Sequence, residues 1–221
     1  MSTADDASRG GHDGRPSRAS VGRLSLYLRR LEGFLREGVL KVSSGQLGEA
    51  LGITDAQVRK DLTHLGHLGQ PGIGYPVREL VLAIRRVLGI DRDWAVVMAG
   101  AGNLARALLR YRGFQQRGFR IVALFDSDPT KVGQVVDGLV VHPPAAMAEV
   151  IAATGAELAV VAVPSEAAQA VADALVAAGV RGVLNFAPVV LRLPESVSLV
   201  SVDLTVQLER LAFLVQMHGQ E

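Results

Sequence analysis

Residues 94–111 read WAVVMAGAGNLARALLRY. An apolar run ends in Gly100-Ala101-Gly102-Asn103-Leu104-Ala105, and an amphipathic segment follows. A G-x-G-x-x-A turn between a buried strand and a helix can cradle the pyrophosphate of a dinucleotide. The first glycine permits the tight turn, the second lets the backbone approach the phosphates, and a small residue at Ala105 lets helix and strand touch. The helix start adds free N–H groups and a partial positive charge. Asp126 closes the next apolar run, 24 residues beyond Gly102. A carboxylate there accepts from a ribose 2′-OH and repels a 2′-phosphate, which favours NAD(H) over NADP(H). Within Asp126-Ser127-Asp128-Pro129 the same residue also suits a cap or turn. Lys131 either reaches the cofactor or is solvated. Pro164, ending the run LAVVAVP, completes the strand-end set, and CoA-binding domains share both the glycine-rich loop and such strand ends.

Reaction chemistry is harder to find. The chain has no cysteine, so disulfides, zinc-thiolate sites and thiol nucleophiles are excluded. Its five histidines are dispersed, and only His64 and His67 share a presumed helix, with no third ligand in view. No Ser/His/Asp order, paired carboxylates or apolar-set lysine is visible. No catalytic residue and no metal ligand is therefore assigned: the dinucleotide is read as something the chain measures.

A second motif lies upstream. In VSSGQLGEALGITDAQVRKDLTHLG, Ser43 with Gln46 and Thr54 with Gln57 are capping boxes, each announcing a helix. Leu47, Ala50 and Leu51 point inward on the first helix, Gly52 breaks it and Ile53 plugs the turn, which makes a helix-turn-helix. On the second helix Val58, Leu62 and Leu65 share one face, leaving Ala56, Lys60 and Thr63 outward, flanked by Gln57, Arg59 and His64. That outward face is small, basic and hydrogen-bonding, as a helix entering the major groove requires. Gln57 serves either the cap or a base. Ser44 stands at the start of the first helix. The Gly/Pro-rich GHLGQPGIGYPV predicts a β-hairpin, a wing in which Gly72 and Tyr75 reach DNA.

The elements that must position these motifs follow from periodicity. Residues 1–20 are polar and read as a flexible arm. Val21, Leu24, Leu28, Leu31 and Leu35 form a helical stripe closed by Gly38, and a further helix spans 79–88 with Leu80, Ile84, Val87 and Leu88 inward. The first domain, 21–90, is a winged helix-turn-helix. From 91 to 202 strands alternate with helices: strands at 94–99, 120–125, 138–142, 158–163, 182–186 and 198–203, helices at 103–112, 145–153 and 165–178. Uninterrupted Val/Ile/Leu/Ala strands are buried on both faces, so this is a Rossmann-like, doubly wound parallel α/β sheet. Residues 203–221 carry one more helix, whose stripe of Leu204, Leu208, Leu211 and Val215 needs the sheet or another subunit to cover it.

Charge divides the same way. Residues 14–90 hold twelve Lys/Arg against six Asp/Glu, whereas 91–221 hold ten against thirteen. A basic first half and mildly acidic second half suit different partners, although solvated arginine faces would give the same balance. No apolar run approaches the ~20 residues of a membrane span, no secretory leader is visible, and lack of cysteine fits a cytoplasmic setting.

Taken together, YLRRLE, VSSGQLGEALGITDAQVRKDL, GQPGIGY, GAGNLARAL, YRGF, ALFDSDPTKVG, VPSEAAQ, GVLNFAPVVL and VDLTVQLERL resemble the Rex family of redox-sensing transcriptional repressors over about 18–217. The resemblance implies a homodimer with swapped C-terminal helices that binds palindromic double-stranded operator DNA. It also implies release by NADH, with NAD⁺ competing. It further implies a switch in which Asp203 pairs with Arg29 in the DNA-binding state and with Tyr111 when NADH is bound. On their own, Arg29 would be a surface residue, Tyr111 a core aromatic and Asp203 a helix cap. Tyr111, Phe114 and Phe186 are candidate nicotinamide walls. Two departures stand out: Ala105 replaces a glycine frequent in the family, and the wing lacks a lysine found in some members. A small NAD-dependent oxidoreductase or a CoA-binding scaffold with a fused DNA-binding module is the competing reading.

Overall fold

The computed structural model describes residues 16–66, 68 and 73–218. The proposed arm up to residue 15, His67 and Gly72 lie outside them. The chain divides after Asp91 into two compact units.

In the first unit, helix α1 (Arg18–Arg36) starts at Ser17, whose hydroxyl accepts the Ser20 N–H at 3.2 Å. Residues 17–20 are therefore cap and first turn rather than arm. Leu24, Leu28 and Leu31 are buried as the period predicts, and Tyr27 joins them. Val21 and Leu35 are exposed instead, because they sit in the end turns of the helix. Strand β1 (Lys41–Val42) precedes α2 (Ser44–Glu49) and α3 (Asp55–Leu62), which continues into a 3-10 turn at Thr63–Leu65. Ser43 and Gln46 form a reciprocal capping box. The turn between α2 and α3 is closed by the Ile53 N–H on the Gly48 carbonyl at 2.9 Å. A Cβ on Gly48 would stand 2.3 Å from the Ile53 oxygen, so only glycine lets the two helices approach this closely. Ala50, expected inward, caps α2 and is exposed. Strand β2 (Tyr75–Pro76) leads into α4 (Val77–Val87). The described strand of the expected hairpin pairs antiparallel with β1, Val42 opposite Tyr75. A two-residue strand such as β1 has no periodicity to reveal it.

The second unit is one sheet in the order β5-β6-β4-β3-β7-β8-β9. Its parts are β3 (Trp94–Ala99), α5 (Asn103–Leu109), α6 (Arg112–Gln116), β4 (Phe119–Phe125), β5 (Val135–Val136), β6 (Leu139–His142), α7 (Met147–Thr154), β7 (Leu158–Val161), α8 (Ser165–Ala177), β8 (Gly182–Asn185) and β9 (Ser198–Ser201). All neighbours pair in parallel except the edge hairpin β5–β6. The helix expected over 103–112 stops at Leu109 and restarts beyond Tyr111, and the strand expected to reach 163 ends at Val161. One core cluster, with Phe125, Ile151, Val161 and Leu175, draws on α7 and α8. Another, with Met98, Ala101, Ala105 and Leu124, draws on α5. An apolar hollow of about 380 Å³ remains beside β7, β8 and β9, lined among others by Leu158, Val160, Leu184 and Val200. Helix α9 (Leu204–His218) ends the described chain with no buried residue, and Leu208 and Val215 are two-thirds exposed.

Candidate functional site

The sheet order reverses at β3, so its C-terminal end and those of β4 and β7 open a crevice of the kind in which doubly wound sheets bind ligands. The Gly100 N–H donates to the Phe125 carbonyl at 2.7 Å and the Ala162 N–H to the Ala99 carbonyl at 2.8 Å, tying the three strand ends together. Gly100 has φ +99°, and a Cβ there would meet the Ala162 oxygen at 2.3 Å. This position thus requires glycine for both conformation and space. The first-turn N–H groups of α5 have no carbonyl one turn back within the helix to accept them.

A cavity of about 540 Å³ fills this crevice, within the usual range of small-molecule sites. Gly100, Gly102, Asn103, Leu104, Asp126, Lys131 and Pro164 line it. Ala101 and Ala105 lie buried beneath the loop as packing residues. Phe186 packs on the sheet core, outside the cavity lining. Tyr111 and Phe114 meet edge to face at 5.3 Å and line a separate hollow of about 240 Å³ with Leu108 and Asp137. Tyr111 is 55% exposed, so it is not a core aromatic. Sequence reasoning missed Ser127, Asp128, Met147, Pro144, Val163 and Ala167 as cavity lining. Asp128 stood in the DSDP turn next to Asp126; Pro144 and Met147 follow β6 and reach the cavity only through the sheet order.

Asp126 is mostly buried and densely bonded. Its Oδ2 accepts from the Ala101 N–H at 2.8 Å and from Lys131 Nζ at 3.1 Å, and its Oδ1 from the Asp128 N–H at 2.9 Å. Burial pushes its pKa up, but the two backbone donors and the Lys131 ammonium outweigh this and hold it below the ordinary aspartate value. Lys131 is raised in turn, chiefly by its hydrogen bond to Asp126. The carboxylate is thus a fixed anion beneath the glycine loop, with one acceptor position on Oδ1 beyond its protein donor.

In the first unit α3 buries Val58 and Leu62 and turns Ala56, Lys60 and Thr63 outward, as expected. Lys60 is exposed and has no ion pair among the described residues. Arg59 donates to Asp55 and, at 3.3 Å, to Ser44 Oγ, linking α3 to α2. Thr63 Oγ1 donates to the Lys60 carbonyl at 2.7 Å. His64 and Tyr75 are half-buried. The second capping box is only half made: Thr54 accepts the Gln57 N–H at 3.3 Å, but the Gln57 carboxamide turns to Asp61 at 3.1 Å.

Asp61 was not singled out by the sequence. It is buried and accepts from Arg23 Nε at 2.6 Å, Arg23 Nη2 at 2.7 Å and Tyr27 Oη at 2.8 Å. Burial raises its pKa, yet hydrogen bonds from Arg23 and Tyr27, the nearby Ser20 hydroxyl and the Arg23 charge overcome this and leave it at about 2. Desolvation and the Asp61 contact push the Tyr27 phenol upward. Of the switch residues that the resemblance implies, Asp203 caps α9 by accepting from Thr205 and Val206 N–H at 2.9 and 3.2 Å, and Arg29 is an exposed residue of α1.

Comparison with known proteins covers both units. A family model described as "CoA binding domain" matches residues 91–189, and one described as "Putative DNA-binding protein N-terminus" matches 17–63. The redox-sensing transcriptional repressor Rex of Pelotomaculum thermopropionicum is 49% identical over 91% of this chain and 95% of its own. That of Streptomyces coelicolor is 46% identical over 92% and 79%. Among solved structures, the Rex-family repressor RSP in complex with β-NAD⁺ and operator DNA is 33% identical, with a TM-score of 0.88, covering 93% of this chain and 94% of that one. RSP in complex with β-NADH is 32% identical, with a TM-score of 0.82, over 93% and 96%. By sequence and by fold in both units, the chain belongs to the Rex family of redox-sensing transcriptional repressors.

Proposed function

We propose that this chain is a cytoplasmic, homodimeric repressor that grips palindromic operator DNA through α3 and releases it when NADH occupies the β3–β4–β7 crevice. The observation that carries this reading is the glycine cradle. Gly100 has no room for a side chain, and Asp126 is fixed as an anion where a ribose hydroxyl would donate. These residues fit NAD(H): the first-turn N–H groups of α5 suit a pyrophosphate, and the Asp126 charge opposes a 2′-phosphate. When bound, NADH supplies a neutral nicotinamide ring where NAD⁺ carries a positive charge. Apolar surroundings penalise the cation and accept the neutral ring; Tyr111, Phe114 and Phe186 are the aromatic side chains we assign to that end.

The DNA-binding domain is taken as residues 21–90, extended back to the Ser17 cap of α1, the NAD(H)-binding domain as 91–202 and the dimerisation helix with its tail as 203–221. We assign Ser44, Gln57, Arg59, Lys60, Thr63, His64, Gly72 and Tyr75 to the DNA side. Gly100 to Ala105, Asp126, Lys131 and Pro164 are assigned to the cofactor. The apolar stripe of α9 crosses to the second subunit and covers exposed apolar surface there, which its lack of any buried residue supports. Asp203 exchanges Arg29 for Tyr111 as the dimer closes. Reversing occupancy from 1:99 to 99:1 needs roughly 5.5 kcal/mol, about half from each of two sites. Closure then misaligns two recognition helices that must meet half-sites about one helical turn apart. The test is selection of binding sites from random DNA, followed by separate NADH and NAD⁺ titrations of the retarded complex. NADH is expected to dissociate it at far lower concentration than NAD⁺; equal effects refute the redox response.

A further inference from the structure

Asp61 is the one carboxylate among the described residues that is buried, at 1% exposure. It lies on α3, beside the exposed Lys60. Arg23 fills it bidentately and Tyr27 adds a third donor, an arrangement that suffices to satisfy a buried anion. A fourth donor is nevertheless present: Gln57 Nε2, at 3.1 Å from Oδ1. Gln57 and Gln46 occupy the same frame, three residues after a capping hydroxyl. Gln46 folds back on the Ser43 N–H at 2.9 Å, whereas Gln57 forgoes that bond for Asp61.

The chemistry fixes which way this amide faces. An ionised carboxylate only accepts, so the nitrogen must face Asp61 and the carbonyl must point away. An unheld glutamine on a helix surface would sample many rotamers and lose their entropy on meeting a base. The held one still has an N–H and a carbonyl oxygen to offer, the donor–acceptor pair that matches N7 and N6 of adenine in the major groove. Resting on the reading of α3 as the recognition helix, we infer that Asp61 is a positioning residue for sequence readout, gripping Gln57 so that each subunit selects an A·T pair at one place in its half-site.

The experiment compares affinity for the selected operator with that for every single base-pair variant of one half-site. Wild type, Gln57→Ala, Asp61→Asn and Tyr27→Phe are measured, with melting recorded for each. Wild type is expected to prefer A·T at one position by about 5- to 150-fold. Gln57→Ala abolishes that preference and leaves the others. Asp61→Asn abolishes the same one: Arg23 Nε and Tyr27 both donate on the Oδ2 side and claim the single amide oxygen, which turns the amide nitrogen toward Gln57, and a preference kept intact overturns the inference. Tyr27→Phe lowers the melting temperature and keeps the preference. Selectivity unchanged in Gln57→Ala, or an Asp61→Asn loss spread equally over all sequences, overturns the inference. Should Asp61→Asn not fold, NMR of the free wild type decides: one ordered rotamer for the Gln57 side-chain amide upholds the grip, and a rotamer-averaged one overturns it. A wild type that selects no sequence defeats the repressor reading instead.

Discussion

Replacing Asp126 with alanine tests the cradle most directly. In the folded protein this carboxylate accepts from the Ala101 and Asp128 N–H groups and from Lys131. Its removal withdraws the acceptor proposed for the ribose hydroxyl. A hydrogen bond to a charged group contributes about 1.5–3 kcal/mol, so NADH affinity is expected to fall roughly 10- to 150-fold. The substitution also deletes the negative charge that opposes a 2′-phosphate and leaves Lys131 without its principal anion. NADPH affinity therefore stays level or rises, and the preference between the two reduced coenzymes collapses. Nicotinamide fluorescence titrations with each coenzyme on wild type and Asp126→Ala measure the ratio. Circular dichroism melting serves as the control, since the orphaned loop donors cost about 1–3 kcal/mol of stability. A variant with lower affinity for both coenzymes and an unaltered ratio between them refutes the ribose role.

Three further outcomes are expected. Lys60→Ala weakens operator binding and makes its salt dependence shallower by about one unit for each phosphate left unneutralised, while NADH affinity measured by fluorescence stays constant; unchanged operator affinity removes Lys60 from the interface. Asp61 sits at about 2 in the folded state against an ordinary 3.8, so its contribution is complete above the unfolded value and fades as pH falls through the folded one. Urea unfolding of wild type and Asp61→Asn should accordingly differ by about 2 kcal/mol less at pH 2 than at pH 5, and a constant difference contradicts the ion pair's role. Leu208→Asp with Leu211→Asp places two charges on the exposed stripe of α9, and analytical ultracentrifugation should then find monomers; a persisting dimer would take α9 out of the interface.

The parts of this fold that announce themselves are those encoded by neighbours in the chain. Ser43 with Gln46, the buried runs of β3, β4, β7 and β8, and Gly100 between strand and helix each carry their structure within a few residues. What escaped was set by distance. Asp61 meets Arg23 and Tyr27 from 38 and 34 positions away, and nothing in RKDL distinguishes a buried aspartate from a solvated one. The pairing of Tyr75 with Val42 likewise joins segments that helices separate. Gln57 matched a capping pattern, and one local rule lost to another, since Asp61 stands one turn further along the same helix. In the crevice, Gly100 and Asp126 were legible because strand ends are, whereas Pro144 and Met147 enter from beyond β6 by virtue of sheet order.

The bond from Ala101 to Asp126 braces the glycine loop against the end of β4 with the chain's own atoms. On the proposed assignment, the adenosine end of the crevice would be a stiff berth, from whose filling little work could be extracted. On that assignment, motion toward the DNA would be driven from the opposite, nicotinamide end. A truncated guest such as ADP-ribose would moor in that berth, keep the whole coenzyme out and leave the operator held, behaving as an antagonist of the redox message.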